Sequence, residues 1–237
     1  MATTLEIAQK GCALIPAYNE GQRIAAVVRD VQAVCPNVVV VDDGSPDDTA
    51  SAAKAAGAAV LVHDVNSGKG AALNTGFQHA REMGYEFVVT LDGDGQHAAD
   101  DIPGFIEAYA QTGAMVVIGN RMADTSTMPA VRRWTNRFMS WLLSRKMGQF
   151  VPDTQNGFRL YKTDVIPEMR VGTQGFSAES EILLELAARG VKMGAVPIKV
   201  IYGDEKSKIH PLKDAMRFFN MLREYDRRSS QIRNDEC

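Results

Sequence analysis

As far as Asn120 the chain repeats one pattern: a short apolar run rich in β-branched residues, a polar loop, then a stretch with helical spacing. The apolar runs predict strands at residues 12–15, 38–41, 59–62, 87–91 and 115–118. The stretches between them predict helices over 21–34, 47–56, 70–83 and 102–112. Because the strands are apolar throughout rather than in alternation, both of their faces are expected to be covered. The β-α order then implies an α/β fold with a mostly parallel sheet flanked by helices. Ligands of such sheets collect outside the carboxyl ends of the strands. The loops after Ile15, Val41, Leu91 and Ile118 are therefore expected to border one crevice.

Beyond Asn120 the alternation stops. A long helix is predicted over 129–147, a strand over 157–161 and a helix over 178–189. A strand over 196–202 and a closing helix over 211–228 follow, before a polar tail over 229–237. With no internal repeat or low-complexity linker, one domain over 1–228 is expected. The break in the pattern divides it into a half over about 1–121 and a half over 122–228.

Composition narrows the class. The chain has 237 residues, 45% hydrophobic and 23% charged, which suits an ordinary globular protein with a sizeable core. A net charge of −3 disfavours a dedicated nucleic-acid binder, so no nucleic-acid partner is expected. The three cysteines, Cys12, Cys35 and Cys237, are odd in number and far apart, as befits free thiols in a reducing compartment. No secretory signal and no membrane-spanning run is visible, so a cytoplasmic protein is expected, soluble or peripheral on a membrane.

The sharpest chemical signal is Leu91-Asp92-Gly93-Asp94-Gly95-Gln96-His97. At a strand end residues i and i+2 point the same way, so the carboxylates of Asp92 and Asp94 can converge. Such a pair repels unless a positive charge sits beside it, and a divalent cation with hard oxygen ligands is the usual one. Gln96 could add a carbonyl oxygen. A polar surface turn is the competing account of these residues. An EF-hand loop is excluded, because its sixth and twelfth positions would be His97 and Pro103.

Two further loops bear on function: Pro16-Ala17-Tyr18-Asn19-Glu20 after the first strand, and Asp42-Asp43-Gly44-Ser45-Pro46-Asp47-Asp48-Thr49 after the second. Neither is the glycine-rich turn of a dinucleotide-binding fold, and Gly68-Lys69-Gly70 lacks the remainder of a P-loop. The acidic second loop suits hydrogen bonds from a base or ribose, and Ser45 and Asp47 are also good helix caps.

These segments resemble the family 2 glycosyltransferases. The run P-A-Y-N-E, V-D-D-G-S-P-D-D-T, N-S-G-K-G-A-A-L-N-T-G-F, L-D-G-D-G-Q-H, G-N-R and D-T-Q-N-G-F-R spans residues 16–159 in order. Within that family the chain looks most like the dolichyl- and polyprenyl-phosphate sugar synthases. The resemblance implies a GT-A, Rossmann-like fold with acceptor-side helices in the carboxy-terminal half. It also implies inverting, metal-dependent transfer of a sugar from GDP-mannose or UDP-glucose to polyprenyl or dolichyl phosphate, with Mg²⁺ or Mn²⁺ as cofactor. It puts Pro16, Tyr18, Glu20, Asp42 and Lys69 around the nucleotide, and Asp92, Asp94 and Gln96 at the metal. Arg121 would meet an anionic substrate group, and Asp153, Gln155 and Arg159 would shape the sugar and acceptor side. Asp94, Arg121, Asp153 and Gln155 are thus the catalytic candidates.

A phosphate monoester acceptor is largely ionised at neutral pH and needs cations to place it rather than a base. Between Asp124 and Asp153 there is no acidic residue, but there are Arg132, Arg133, Arg137, Arg145 and Lys146, interleaved with Trp134, Phe138, Met139, Trp141, Leu142, Leu143 and Met147. This pattern suits an anionic membrane surface or a lipid phosphate, and equally a helix packed on the sheet with a solvated basic face. Lys206 and Lys208 could also contact phosphate. Several relatives carry carboxy-terminal membrane spans, whereas this chain ends in a polar stretch. Reaching a lipid would then need the membrane surface or a membrane-embedded partner. A soluble or glycan acceptor, and a non-catalytic nucleotide-sugar-binding subunit, are the alternatives.

Overall fold

The computed structural model describes residues 3–126, 128–167, 177–199 and 201, and near the carboxyl end 216, 218–220, 222–223 and 225–227. The first half runs α1 (Thr4–Ala8), β1 (Cys12–Ala17), α2 (Ile24–Gln32), β2 (Val38–Asp42), α3 (Thr49–Ala55), β3 (Ala59–Val62) and α4 (Lys69–Glu82). It continues through β4 (Phe87–Thr90), α5 (Ile102–Thr112) and β5 (Val116–Asn120). The second half adds α6 (Ala130–Met147), β6 (Arg159–Lys162), α7 (Ser177–Ala188) and β7 (Met193–Pro197). The described residues of the closing stretch, among them Phe218 and Leu222, are helical.

One seven-stranded sheet runs through both halves in the order β3-β2-β1-β4-β6-β5-β7. Only β6 is antiparallel to its neighbours, β4 and β5. The mostly parallel α/β sheet expected from the sequence is thus present. Neighbouring residues of one strand serve opposite faces, as the pleat requires. Ile15, Val40 and Val89 pack with Phe105 and Ile106 on one side. Leu14, Val39 and Val88 pack with Phe77 and Leu183 on the other. Two covered faces are the reason the strands read as unbroken apolar runs.

Topology places the chemistry on one edge. The strands β1, β2, β4 and β5 all point the same way, so the loops after them emerge together. Because β6 runs against them, it begins at that edge, and the loop before it, residues 153–158, joins the same cluster.

Several boundaries differ from expectation. Helix α1 was not anticipated, although Thr3 and Glu6 form a capping box in which each side chain meets the other's backbone N–H. Helix α2 starts at Ile24 rather than at Gly21, because Glu20 O accepts from the N–H of both Arg23 and Ile24 in a preceding turn. The strand expected at 196–202 overlaps β7, Met193–Pro197, only at its start, and its residues 200 and 202 lie outside the described residues. Parallel pairing with β5, Val116 opposite Met193, sets its register over the preference of the β-branched residues that follow. The 211–228 helix lies partly, and Lys206, Lys208 and the 229–237 tail wholly, outside the described residues.

Candidate active site

Two loops are stitched together at the ends of β1 and β2. Asp42 closes β2 opposite Ala17, is buried, and accepts from Ser45 N through Oδ1 (3.1 Å). Ser45 Oγ accepts from Asn19 N (2.9 Å), and Thr49 Oγ1 accepts from Glu20 N (2.9 Å). Asn19 has φ 57°, a left-handed conformation that Asn tolerates better than most residues. Ser45 therefore joins two loops instead of capping a helix, while Asp47 Oδ1 does accept from Thr49 N at the start of α3. Pro16 is half-buried beneath this clasp, and Tyr18 is exposed beside it, its ring free to stack on a planar group.

Asp43, one residue on, anchors a third loop. Its Oδ1 lies 2.7 Å from His63 Nδ1 and accepts from Ser67 N (2.9 Å), and its Oδ2 accepts from Gly68 N (2.6 Å). His63 Nε2 meets Thr75 Oγ1 at 2.9 Å, tying the loop to the body of α4. Gly68 at φ 91° then opens α4 and delivers Lys69 to the centre of the site.

The positive charge that the carboxylate turn calls for is Lys69 itself. Its Nζ reaches Asp92 Oδ1 (2.5 Å) and Glu179 Oε1 (2.7 Å), joining the end of β4 to α7. His97 Nε2 faces the other oxygen of Asp92 at 3.5 Å. Burial alone would push the Asp92 carboxyl up, but Lys69 and then His97 outweigh it and hold the carboxyl far below the usual carboxylate range. Burial would likewise lower the Lys69 ammonium, and the two carboxylates more than reverse this. A side chain at Gly157 would push on this ion pair, because a Cβ there would lie 2.7 Å from Glu179 Oε1 and 3.0 Å from Lys69 Nζ.

Asp94 is differently placed. Its Oδ1 accepts from Gln96 N (2.9 Å), which shapes the turn. Burial raises its pKa against that hydrogen bond, and the charge of Asp92 adds to the rise. Among the described residues no three His, Cys, Asp or Glu side chains converge as a metal-binding group. A carboxylate that is reluctant to ionise alone, with the Gln96 carboxamide two residues on, is a hard-oxygen donor set that a divalent cation would satisfy together with phosphate oxygens and water. The residues present therefore fit Mg²⁺ or Mn²⁺, with Asp94 and Gln96 better placed to ligate than Asp92, whose oxygens face Lys69 and His97.

On the opposite side Arg121 and Asp153 form a buried pair. Asp153 Oδ2 accepts from Arg121 Nε (2.7 Å) and backbone N (3.2 Å), and Oδ1 accepts from Nη2 (2.9 Å). Arg159 is fully buried. Its guanidinium donates to the carbonyls of Asn156 (2.6 Å), Glu179 (2.7 Å) and Thr154 (2.9 Å) and to Tyr161 OH (3.0 Å). It holds the loop and α7 in place and offers no exposed surface for a substrate. Gln155 is half-buried at the turn between them and donates to Thr154 Oγ1 (3.1 Å). Arg132 and Arg133 lie on the first turn of α6, both half-buried.

The edge thus gathers Pro16, Tyr18, Glu20, Asp42, Lys69, Asp92, Asp94 and Gln96 on one side, and Arg121, Asp153, Gln155 and Arg159 on the other. Sequence reasoning had no role for Glu179, Asp43 or His97. The second aspartate of the Asp42-Asp43 pair and the histidine closing the carboxylate motif were visible signals, whereas Glu179 sits in an unremarkable helix.

Comparison with known proteins bears on the family and the fold. The glycosyl transferase family 2 model matches residues 12–170. The UDP-N-acetylglucosamine–dolichyl-phosphate N-acetylglucosaminyltransferase of Methanococcus voltae is 30% identical over 212 residues, covering 80% of this chain and 84% of that protein. The polyprenol monophosphomannose synthase of Mycolicibacterium smegmatis is 29% identical over 216 residues, covering 82% and 78%. Among solved structures, mannosyl-3-phosphoglycerate synthase from Rubrobacter xylanophilus superposes with a TM-score of 0.72 at 17% identity, covering 98% of this chain and 80% of that one. Glucosyl-3-phosphoglycerate synthase from Mycobacterium tuberculosis, in complex with Mn²⁺, UDP-glucose and phosphoglyceric acid, gives 0.70 at 19%, covering 94% and 83%. These neighbours share the GT-A glycosyltransferase fold. With the family model matched over residues 12–170 and a relative 30% identical over 80% of this chain, the chain belongs to glycosyl transferase family 2.

Proposed function

We propose that the protein transfers a hexose from a nucleotide sugar, GDP-mannose or UDP-glucose, to polyprenyl or dolichyl phosphate, with inversion and with a divalent cation. The observation that carries the choice of acceptor is the state of the acceptor-side carboxylates. Both oxygens of Asp153 are held by Arg121, and Glu179 lies between Lys69 and Arg159. A carboxylate tied to a cation is a poor base for a hydroxyl, whereas a phosphate monoester is already ionised and needs none.

In this reading Tyr18 stacks beside the base, and Asp42 accepts hydrogen bonds from base or ribose. Lys69 places positive charge next to the diphosphate. Asp94 and Gln96 would hold Mg²⁺ or Mn²⁺, which when bound offsets charge on the departing diphosphate as a Lewis acid. The acceptor phosphate oxygen forms a bond to the anomeric carbon from the face opposite the leaving group. The bond from that carbon to the diphosphate oxygen breaks, and the electron pair leaves with the nucleoside diphosphate. Arg132, Arg133 and Lys208 would steer the anionic acceptor, and Arg121, positioned by Asp153, would meet an anionic group of the substrate.

The test offers radiolabelled UDP- and GDP-sugars with polyprenyl phosphate and Mn²⁺ or Mg²⁺, against an EDTA control. Label entering the organic phase, and lost with EDTA, is expected, and it also names the donor. Metal-dependent release of nucleoside diphosphate without lipid product would refute the lipid acceptor. It would favour a soluble one, such as the phosphoglycerate named for the structural neighbours.

A further inference from the structure

Helix α6 packs Leu143, Met139, Leu142 and Met147 against the core, yet a stripe of large apolar side chains points away from it. Its buried residues are Asn136, Ser140, Leu143 and Ser144, mostly polar. Its exposed residues include Val131, Trp134, Phe138 and Trp141, which are 75%, 70%, 53% and 55% exposed. At 3.6 residues per turn those four fall within an arc of about 80°, centred about 150° round the helix from the buried face. The inward polar face has a task. Ser140 Oγ accepts from Thr154 N (2.9 Å), and Ser144 Oγ bonds Val151 through both its N–H (2.9 Å) and its carbonyl (3.1 Å). The outward aromatic stripe has no such account within the fold. Phe150, exposed two residues past the Gly148 that ends the helix, extends it.

We propose that this face docks on an anionic lipid bilayer, with α6 lying in the interface plane and Trp134, Phe138 and Trp141 inserted at headgroup depth. The proposal rests on the polyprenyl-phosphate reading and adds the surface by which a chain with no helix long and apolar enough to cross a membrane among its described residues reaches such an acceptor. Charge decides the occupant. The stripe is set among Arg132, Arg133, Arg137 and Arg145, with no acidic residue from 125 to 152, while Lys146 at the end of the helix is paired with Asp226. The Arg145 guanidinium lies 6.0 Å from the centroid of the Trp141 ring, and Phe138 stacks near the same indole. Aromatic rings flanked by arginines match the headgroup layer, where rings sit and cations meet lipid phosphate. A second copy of this chain fits less well. A two-fold contact sets one patch against itself, and would bring these cations together with no carboxylate in the segment to offset them. Docking would also put the bilayer about one helix diameter, some 10 Å, from the 151–154 loop that carries Asp153.

The two tryptophans of the stripe are the only two in the chain, so the protein reports on itself. Full-length protein is titrated with phosphatidylglycerol/phosphatidylcholine vesicles while tryptophan emission is followed, and bromine-labelled lipids serve as depth-dependent quenchers. A blue shift with quenching is expected, weaker at high salt and absent with pure phosphatidylcholine. In flotation, Trp134→Glu/Trp141→Glu is expected to bind such vesicles roughly 100-fold more weakly, the loss for two large side chains no longer buried. Equal flotation of wild type and variant, or no spectral change at low ionic strength, would overturn the proposal. So would sedimentation showing a wild-type dimer that the variant abolishes. Transfer to a short-chain, water-soluble polyprenyl phosphate is assayed in parallel. Turnover without vesicle binding would defeat the docking alone, and vesicle binding without turnover would defeat the acceptor assignment alone.

Discussion

Asp153→Asn separates a supporting role from a chemical one. The carboxylate is fully buried and accepts three hydrogen bonds from Arg121, one from its backbone and two from its guanidinium. The amide keeps one acceptor and turns an NH₂ donor toward a guanidinium N–H, and the Asp153 side of a buried ion pair is lost. Breaking one side of a buried ion pair costs about 3–5 kcal/mol, a large share of the roughly 5–15 kcal/mol that holds a domain together. For a chain of this size that corresponds to a fall in Tm of about 10 °C. Urea denaturation and thermal melts of wild type and variant measure it directly. Removing both partners, Arg121→Met with Asp153→Leu, should recover much of the lost stability, because an apolar pair of similar volume replaces an ion pair at little cost. A variant that melts within about 1 °C of wild type yet loses transfer would refute the argument, and Asp153 would then act on the substrate itself.

Asp94→Asn should leave the melting curve near wild type and lower metal-dependent transfer roughly 100-fold, equivalent to about 3 kcal/mol at the transition state; retained Mn²⁺ binding by titration calorimetry would refute its role as ligand. Gly157→Ala wedges a methyl against Glu179 Oε1 and Lys69 Nζ and should cost about 1–3 kcal/mol in urea denaturation, with a raised KM for the donor; unchanged values would mean that the ion triad shifts freely. Burial keeps the Cys12 and Cys35 thiols protonated, Cys35 up to about 11 from the ordinary 9.0. The unfolded chain loses those protons first, so stability is full below pH 9 and falls as pH rises toward 11, by roughly 3 kcal/mol for Cys35. Cys35→Ala should flatten that decline, and an unchanged slope across this window would count against it.

How much was legible varied with the range of the interactions involved. The first five strands were readable because each is a local apolar run whose type does not depend on its partners. The place of β6 was not, since its antiparallel insertion between β4 and β5 follows from a return across the sheet that no local pattern encodes. The carboxylate turn was visible as Asp92-Gly93-Asp94, but its electrostatics were not. A lysine 23 residues earlier and a glutamate in α7 occupy one side of it. Arg159 was readable as part of a motif and turned out to be sealed in the interior, because burial is a property of the packed fold. Helix α6 is the sharpest case. Its composition marked it as basic and aromatic, but only packing revealed that Asn136, Ser140 and Ser144 face inward while the aromatic rings face outward.

The sequence by itself determined the α/β class, the parallel core and the edge at which the loops gather. Strand type follows from local apolar runs, and the chain direction of parallel strands sets which ends carry the loops. It also determined the family, since ordered short motifs survive without knowledge of their contacts. Tertiary structure alone decided which charges meet. Lys69 joins Asp92 to Glu179, Arg121 takes both oxygens of Asp153, and α6 turns its aromatic face outward. The reason is distance. Coulombic and hydrogen-bonding interactions fall off within a few ångströms, so residues far apart in the chain acquire partners only once the sheet and helices bring them together.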